Sequence, residues 1–324
     1  MSRGALSIVG AARRAGGVGG PPPRLDSDRA EVVLHRLQLL VTRKLDGLLQ
    51  GDYLGLLPGA GSEAGESREY RPGDDVRRMD WPVTARTTVP HVRQTVADRE
   101  LETWICLDLS ASLDFGTAQC EKRDLAVAAA AAITHLTVRG GNRVGAVVTN
   151  GTRTVRMPAR AGRLNAQGLM RRIVDTPRAE PGPPTDLAAA VDLLNRPPRR
   201  RGMAVVISDF LADPSWERPM RKLAVRHDVL AIEIVDPREL ALPEVGVLTL
   251  VDPETGRLHE VQTGNKKLRD AYAKAAAEQR AAIDAAMRRA GAAHLRLRTD
   301  SDWLLDIVRF VAAQRRGRSR GTTR

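Results

Sequence analysis

Five oxygen-bearing side chains follow or precede predicted strands and helices in a pattern that could bind a metal ion. They are Asp108, Ser110, Ser112, Thr185 and Asp209. The first three follow an apolar run that predicts a buried strand, the threonine precedes a helix-like stretch, and the last aspartate follows a second apolar strand. Magnesium and manganese prefer hard oxygen ligands, and hydroxyls with waters held by carboxylates suit them well. The spacing therefore predicts a site for Mg2+ or Mn2+ whose incomplete shell an acidic partner group can fill.

Alternating strand-like and helix-like segments predict the fold that brings these residues together. Strands are predicted over 103–107, 144–149, 152–157, 204–208, 229–235 and 294–297, and helices over 120–139, 164–174, 186–194, 215–227, 266–290 and from 301. Asn150-Gly151 predicts a turn that pairs the second and third strands. Such alternation is typical of a mostly parallel sheet with helices on both faces. We predict a doubly wound, Rossmann-like α/β fold with its site beyond the carboxyl ends of the strands.

The D-x-S-x-S spacing, with the later threonine and aspartate, resembles the metal-ion-dependent adhesion site of von Willebrand factor A domains. This resemblance implies that Ser110 and Ser112 bind the ion directly and Thr185 directly or through water. It implies that Asp108 and Asp209 act mostly through water. The residues alone also allow a simpler interpretation, in which the serines cap a turn and the aspartates accept hydrogen bonds from loop amides.

The segment ahead of the first buried strand carries a second pattern. It reads GSEAGESREYRPGDDVRRMDWPVTARTTVPHVRQ and resembles the hallmark of a bacterial family of unknown function, domain of unknown function fifty-eight. The matching positions are Glu66, Arg68, Glu69, Tyr70, Gly73, Asp74, Asp75, Arg77, Asp80, Trp81, Ala85 and Arg86. Met79 stands where isoleucine is more usual, which conserves side-chain volume. Members are commonly encoded beside MoxR-type AAA+ ATPases, so the resemblance implies such an ATPase as a partner.

The charged residues of this segment allow two interpretations. A turn is predicted at 72–74, and the arginines and aspartate on either side of Trp81 could form ion pairs around it. These pairs could form a closed network that clamps the segment onto the sheet, or the segment could be a docking surface for the ATPase. The docking candidates are Glu66, Arg68, Glu69, Tyr70, Asp74, Asp75, Arg77, Asp80, Trp81 and Arg86.

Composition divides the chain into four parts. The sequence predicts a disordered basic tail over residues 1–25. It predicts an amphipathic helix followed by a turn-rich β segment over residues 26–101. The resemblance to von Willebrand factor A domains assigns residues 102–311 to one such domain, and residues 312–324 are expected to form a second basic tail. The net charge of the whole chain is +12, and the two tails contain nine arginines and no acidic residue. The positive and negative charges of the rest of the chain are therefore nearly balanced. The tails can make weak polyanion contacts, but 3% aromatic residues offer few platforms for base stacking.

Other features narrow the functional classes. No apolar run reaches the roughly 20 residues of a membrane span, and we expect no secretory signal at the N-terminus because its apolar stretch is weak and flanked by arginines. Cys106 and Cys120 have no zinc-binding spacing. We therefore expect a cytoplasmic protein with free thiols.

The sequence contains no phosphate-binding loop, nucleophile elbow or H-E-x-x-H pair, so we expect no enzymatic activity. The function expected is a metal-ion-dependent protein-interaction module. It would act as an adaptor or partner of a MoxR-type ATPase in protein remodelling or complex maturation. The alternatives are a divalent-metal-dependent hydrolase and an accessory polyanion binder that acts through the arginine-rich tails.

Overall fold

The computed structural model describes residues 67–70, 76, 79–93, 101–179, 185–196, 202–251 and 258–321. The strands in this part are β1 Ser67–Glu69, β2 His91–Arg93, β3 Glu102–Asp108, β4 Arg143–Thr149, β5 Thr154–Arg160, β6 Gly202–Ser208, β7 Asp228–Val235, β8 Val247–Val251, β9 Leu258–Gln262 and β10 Ala293–Arg298. The helices are α1 Trp81–Thr87, α2 Lys122–Arg139, α3 Arg163–Val174, α4 Leu187–Asn195, α5 Glu217–Ala224, α6 Lys266–Ala290 and α7 Trp303–Gly321. The expected tail 1–25 and the expected helix before Gly51 lie outside the described residues.

Six strands form the central sheet, in the order β10-β7-β6-β3-β4-β5. Neighbouring strands are parallel except β4 and β5, which are antiparallel and are connected at Asn150 and Gly151 as the sequence predicts. Asp108 is in register with Thr149, and Leu107 is in register with Ile207. The strands β3, β4 and β6 therefore end together, along what we call the carboxyl edge of the sheet.

Helices cover both faces of this sheet, which explains why its central strands β3, β4, β6 and β7 are almost wholly buried and mostly apolar. Ile105 and Leu107 of β3 pack on the face covered by α2, α3 and α7. Trp104 and Cys106 pack on the face covered by α4, α5 and α6. A strand buried on both sides has no polar face, hence the continuous apolar run in the sequence. The predicted doubly wound α/β fold is confirmed.

The helix boundaries follow local signals in the sequence. The long helix α6 begins at Asn265, whose side chain accepts a hydrogen bond from Lys267 N at 3.0 Å. It ends at Gly291, which has a φ of +70° and so adopts the left-handed conformation that suits glycine. The alanines of α2 are all buried, since a small side chain favours the helix and lets it pack closely on the sheet.

Several elements differ from the sequence predictions. The segment after Asp80 forms the helix α1 rather than a β or turn structure, and the hairpin of β8 and β9 was not predicted. Helix α7 continues to Gly321, past residue 312, where a separate basic tail is expected. The four-part division of the chain remains a prediction.

Candidate metal site at the carboxyl edge

The D-x-S-x-S loop folds tightly at the end of β3. Asp108 is buried, with 2% of its surface exposed, and its Oδ1 accepts a hydrogen bond from Ser110 N at 2.9 Å. Its Oδ2 accepts a hydrogen bond from the hydroxyl of Ser208 at 2.8 Å. The hydroxyls of Ser110 and Ser112 lie 3.2 Å apart. The loop therefore fixes one carboxylate and two hydroxyls at the carboxyl edge.

Asp209 adds a second buried carboxylate from the end of β6. Its Oδ2 accepts a hydrogen bond from the ammonium of Lys122 at 2.8 Å, and its Oδ1 accepts one from Leu211 N at 3.1 Å. Ser112 also acts to lower the pKa of this carboxylate. The loop after β3 and the loop after β6 therefore lie next to each other.

Gly151 brings the fifth predicted residue to the same place. A Cβ atom added to Gly151 would lie 2.9 Å from Thr185 Oγ1 and 3.9 Å from Ser110 Cβ. The threonine hydroxyl thus faces the loop after β3 across the turn between β4 and β5. All five predicted ligands meet at the carboxyl edge, and metal binding by them stays a prediction.

The two carboxylates of the site differ in their ionisation. Burial, followed by the charge of Asp209, raises the pKa of Asp108 to about 6. Burial also acts to raise the pKa of Asp209, but the ammonium of Lys122 and its hydrogen bond outweigh it and hold that pKa below its usual range. The carboxylate of Asp209 is therefore firmly ionised, whereas the surroundings of Asp108 disfavour its negative charge.

The residues at this edge fit a hard divalent cation. Two carboxylates and three hydroxyls supply only oxygen donors, which magnesium and manganese prefer. The mutual repulsion of Asp108 and Asp209 is the feature that a dication would relieve. Gly151 has no Cβ atom, and this leaves space next to the hydroxyl of Thr185.

Replacing Gly151 with alanine is expected to disturb the site as well as the backbone. The φ of Gly151 is +91°, and the new Cβ would contact Thr185 Oγ1 at 2.9 Å. Gly162→Ala is the matched control, because its φ is +92° and no atom lies within 4 Å of an added Cβ. Both variants should lose about 1–3 kcal/mol of stability from backbone strain. Only Gly151→Ala should also lose metal-dependent stabilisation in thermal melts, and equal behaviour of the two variants would contradict this placement of Thr185.

Lys122 is a residue of this site that the sequence analysis missed. Its side chain is fully buried, and the ammonium donates to Asp209 at 2.8 Å and to Glu239 Oε1 at 2.5 Å. Burial acts to lower the pKa of Lys122, but the two carboxylates outweigh it and raise that pKa. Lys122 is therefore a fixed positive charge beside the candidate metal site.

A network of ion pairs continues from Lys122 away from the site. Arg280 of α6 donates to Glu239 and to Glu233, each at 2.8 Å, and to the carbonyl of Asp209 at 3.3 Å. Arg296 of β10 also donates to Glu233, at 2.7 Å. The network therefore extends from the carboxyl edge through β7 to the β10 side of the sheet.

Glu233, Asp284 and His294 place one possible metal-ligating atom each within 4.8 Å of one another. Guanidinium groups already bind both carboxylates, since Arg296 lies 2.7 Å from Glu233 and 3.2 Å from Asp284. His294 Nδ1 lies 2.8 Å from Asp284 Oδ1. We interpret this group as part of the ion-pair network.

The docking candidates are described only in part. Glu66, Asp74, Asp75 and Arg77 lie outside the described residues, and only the strand position of Arg68 is described. Among the others, Asp80 caps α1 by accepting a hydrogen bond from Val83 N at 3.3 Å. Trp81 is 65% exposed, Glu69 and Arg86 are exposed, and Tyr70 is half-buried. The side chain of Trp81 is therefore largely exposed on α1, and the ion pairs expected around it stay a prediction.

The chain was compared with known proteins and structures. Residues 66–282 match the family described as Protein of unknown function DUF58. An uncharacterized protein of Mycobacterium tuberculosis (strain H37Rv) is 59% identical over 293 residues, covering 90% of this chain and 92% of the relative. An uncharacterized protein of Mycobacterium avium is 54% identical over 162 residues, covering 50% of this chain and 95% of the relative. The family resemblance noted in the sequence is confirmed.

Three solved structures are similar to part of this chain. Conserved hypothetical protein BatB from Bacteroides thetaiotaomicron has a TM-score of 0.42 and 16% identity, over 66% of this chain and 98% of that chain. An aerotolerance-related membrane protein from Bacteroides fragilis has a TM-score of 0.40 and 15% identity, over 67% of this chain and 99% of that chain. The SpRpn10 VWA domain has a TM-score of 0.36 and 12% identity, over 65% of this chain and 94% of that chain.

The expected cytoplasmic location is corrected by these comparisons. The Bacteroides fragilis structure and an uncharacterized membrane spanning protein from Vibrio fischeri are both described as membrane proteins. The cytoplasmic expectation is therefore wrong, and no location replaces it. Within the described residues, no helix has the length and apolar character needed to cross a bilayer.

Proposed function

We propose that this chain, which belongs to the DUF58 family of proteins of unknown function, is a protein-interaction module. It binds a divalent cation at its carboxyl edge. Through the cation it binds an acidic side chain of a partner protein. The observation that carries this proposal is the pair of buried carboxylates, Asp108 and Asp209, whose repulsion contributes to the raised pKa of Asp108. A dication beside them replaces that repulsion with attraction.

The hydrogen bonds of the five residues support different roles in holding the ion. Both carboxylates already accept hydrogen bonds, Asp108 from Ser110 N and Ser208, and Asp209 from Lys122 and Leu211 N. We therefore propose that they act mainly through water, with their remaining lone pairs. Three hydroxyls are left as direct or water-bridged ligands, on Ser110, Ser112 and Thr185. The ion is Mg2+ or Mn2+.

A shell of this kind leaves a position open to an external ligand. Magnesium requires near-octahedral geometry and retains water at positions that the protein does not fill. A carboxylate from a partner protein replaces one water and gains a charge-assisted contact with the ion. Binding of metal and partner is then coupled, so that each increases the affinity for the other.

We propose a MoxR-type AAA+ ATPase as the partner, for which this protein serves as an adaptor in remodelling or complex maturation. The exposed side chains around α1 support the docking interpretation of the family segment over the clamp. Trp81 is 65% exposed, Val76 60% and Val89 41%, and indole side chains are frequent anchors of protein interfaces. The cation site and the α1 segment would then be two contacts with the same assembly.

A hydrolase would need a group that accepts a proton from a metal-bound water. The amine nearest to the carboxylates is Lys122, whose raised pKa and two carboxylate partners keep it protonated. The two aspartates are assigned to holding the waters of the ion, and the five candidate ligands include no histidine or third carboxylate that could act as the base. We therefore propose a binding function rather than catalysis at this site.

The proposal predicts that Ser110→Ala combined with Ser112→Ala abolishes the stabilisation of the protein by Mg2+ and its cation-dependent capture of the ATPase. The double variant removes two ligands but no apolar core residue, so its melting temperature in chelator should stay close to that of the unmodified protein. At an ion concentration a hundredfold above the dissociation constant, the unmodified protein should gain about 2.7 kcal/mol. Calorimetric titration and thermal melts measure the metal, and pull-down with purified ATPase measures the partner.

Ser215→Ala is the control for this experiment, because Ser215 is exposed and lies in a separate turn. Capture of the ATPase by the double serine variant at unchanged strength, with or without chelator, would rule out the metal-bridged contact. Loss of capture by Trp81→Ala with metal binding intact would locate the second contact on α1.

A further inference from the structure

Exposed arginines are concentrated along the edge strand β5, in the turn before it and on the helix α3 after it, although the chain between its tails is nearly neutral overall. Between positions 151 and 178 the sequence contains seven arginines and only one acidic residue, Asp175. Arg178 is paired with Asp114 and Glu121. We define the arginine surface as the five that are exposed and have no carboxylate partner among the described residues, namely Arg153, Arg156, Arg160, Arg163 and Arg172.

The arginine surface begins at the candidate metal site. Strand β5 lies at the end of the sheet and pairs only with β4, and Arg153 lies in the turn that connects these strands at the carboxyl edge. The strand then leads away from that edge for about 20 Å, and α3 returns towards it. Asn150 Nδ2 donates to Pro177 O at 3.2 Å, which ties the chain after α3 to the same turn. A ligand at the metal site can therefore continue along β5.

Side chains rather than the backbone must provide binding on this surface. Pro158 has no N–H group, and the register of β5 shifts at the pairing with Val144 and Ala146. A proline and a bulge interrupt the hydrogen-bonding edge of a strand and oppose the addition of another strand. The guanidinium groups therefore act as separate recognition elements along the edge.

The side chains between the arginines favour a polypeptide over a nucleic acid. Val155 is 40% exposed and Leu164 is 83% exposed, so apolar contacts alternate with positive charges. The aromatic ring of Trp104, which Arg156 contacts, is buried, and the guanidinium covers it at 4.4 Å from its centroid. No ring is left on the described part of this surface for base stacking, which single-stranded nucleic acids use.

We infer that the arginine surface binds an acidic segment of a partner protein that also carries apolar side chains. One carboxylate of this segment reaches the carboxyl edge, and the acidic residues that follow contact the arginines along β5. The inference extends the proposed interaction function, but the contacts with the arginines do not require the metal. Measurements with and without a chelator therefore distinguish a failure of the metal-dependent interaction from a failure of the arginine contacts.

The test measures binding of a fluorescent peptide of glutamates interrupted by leucine to the full chain, by anisotropy. The variant Arg153→Glu, Arg160→Glu, Arg163→Glu leaves the stacked Arg156 intact. The control reverses three exposed arginines elsewhere, Arg218, Arg226 and Arg288, and so has the same net charge. We expect the first variant to lose about tenfold or more in affinity and the control to lose little, both in Mg2+ and in chelator.

Three results would overturn the inference. Equal losses in the variant and the control would show that only net charge matters. Unchanged peptide affinity in the variant would show that the surface is not used. If the variant lost affinity only for single-stranded DNA, measured in parallel, and not for the peptide, the arginine surface would be a nucleic-acid surface instead.

Leu164→Gln tests the apolar component separately. Leu164 is exposed, so the substitution should leave the melting temperature unchanged. We expect weaker binding of the leucine-containing peptide and unchanged binding of an all-glutamate peptide. Equal effects on both peptides would overturn the polypeptide assignment.

Discussion

Lys122→Met is expected to destabilise the folded protein by about 3–5 kcal/mol, because it leaves buried carboxylates without their cation. Asp209 loses the ammonium that lies 2.8 Å away, and Glu239 keeps the guanidinium of Arg280 and the backbone amide of Asp236. The methionine fills a similar volume, so the loss reports the charge rather than a cavity. Chemical denaturation in chelator measures the effect.

Lys222→Met is the matched control, because Lys222 is exposed and lies 3.8 Å from Asp192. An exposed pair of this kind contributes at most about 1 kcal/mol. Lys122→Met combined with Asp209→Asn should recover part of the lost stability, because one uncompensated charge is removed. A loss by Lys122→Met no larger than that of the control would show that the ion pairs do not stabilise the fold.

The same substitution is expected to strengthen the binding of the divalent cation. Lys122 neutralises Asp209 in the unmodified protein, so its removal leaves an additional negative charge next to the ion. Mg2+ should therefore restore more stability to Lys122→Met than it adds to the unmodified protein. If Lys122→Met folds only with Mg2+, circular dichroism during titration of the metal shows the restored structure directly.

The sequence was sufficient to predict the sheet, most of its helices and the D-x-S-x-S loop. Strand β3 is buried on both faces and therefore carries a continuous apolar run from Trp104 to Leu107, and α6 is long and begins and ends at clear capping residues. In a parallel sheet, side chains that follow neighbouring strands share one edge, so Asp108 and Asp209 could be assigned to one site without coordinates. These predictions depend only on local patterns and on the rules of the fold.

The ion-pair network could not be predicted, because its members are distant in sequence and ordinary in type. Lys122 is 87 residues from Asp209 and 117 residues from Glu239. A lysine in the first turn of a helix is most often exposed to solvent, so its burial depends on the exact position of α2 over the sheet. Helix α1 did have a local signal, since Asp80 precedes Trp81 and Pro82, the combination of a capping aspartate and an early proline. Its seven residues gave too little periodicity to outweigh the surrounding turn residues.

Stabilisation of the protein by Mg2+ is expected to disappear as the pH falls below about 6, because Asp108 must be ionised to attract the cation. Burial and the charge of Asp209 raise the pKa of Asp108 to about 6 in the folded protein, from an ordinary value of 3.8. A carboxyl with a raised pKa stabilises the fold fully below its ordinary pKa, and this contribution is lost as the pH rises through the folded value. The metal-free protein is therefore expected to lose this contribution between about pH 4 and pH 6.

Thermal melts at about pH 5 and about pH 7.5, each in Mg2+ and in chelator, separate the two effects. The gain from Mg2+ should be large at the higher pH and small at the lower pH. Asp108→Asn cannot ionise at this position, so it should show no gain at either pH. Asp124→Asn is the control, because burial, with the charge of Glu121, raises the pKa of Asp124 to about 6 as well. It should change the pH dependence in chelator but keep the gain from Mg2+, and an equal gain from Mg2+ at both pH values in the unmodified protein would contradict the role assigned to Asp108.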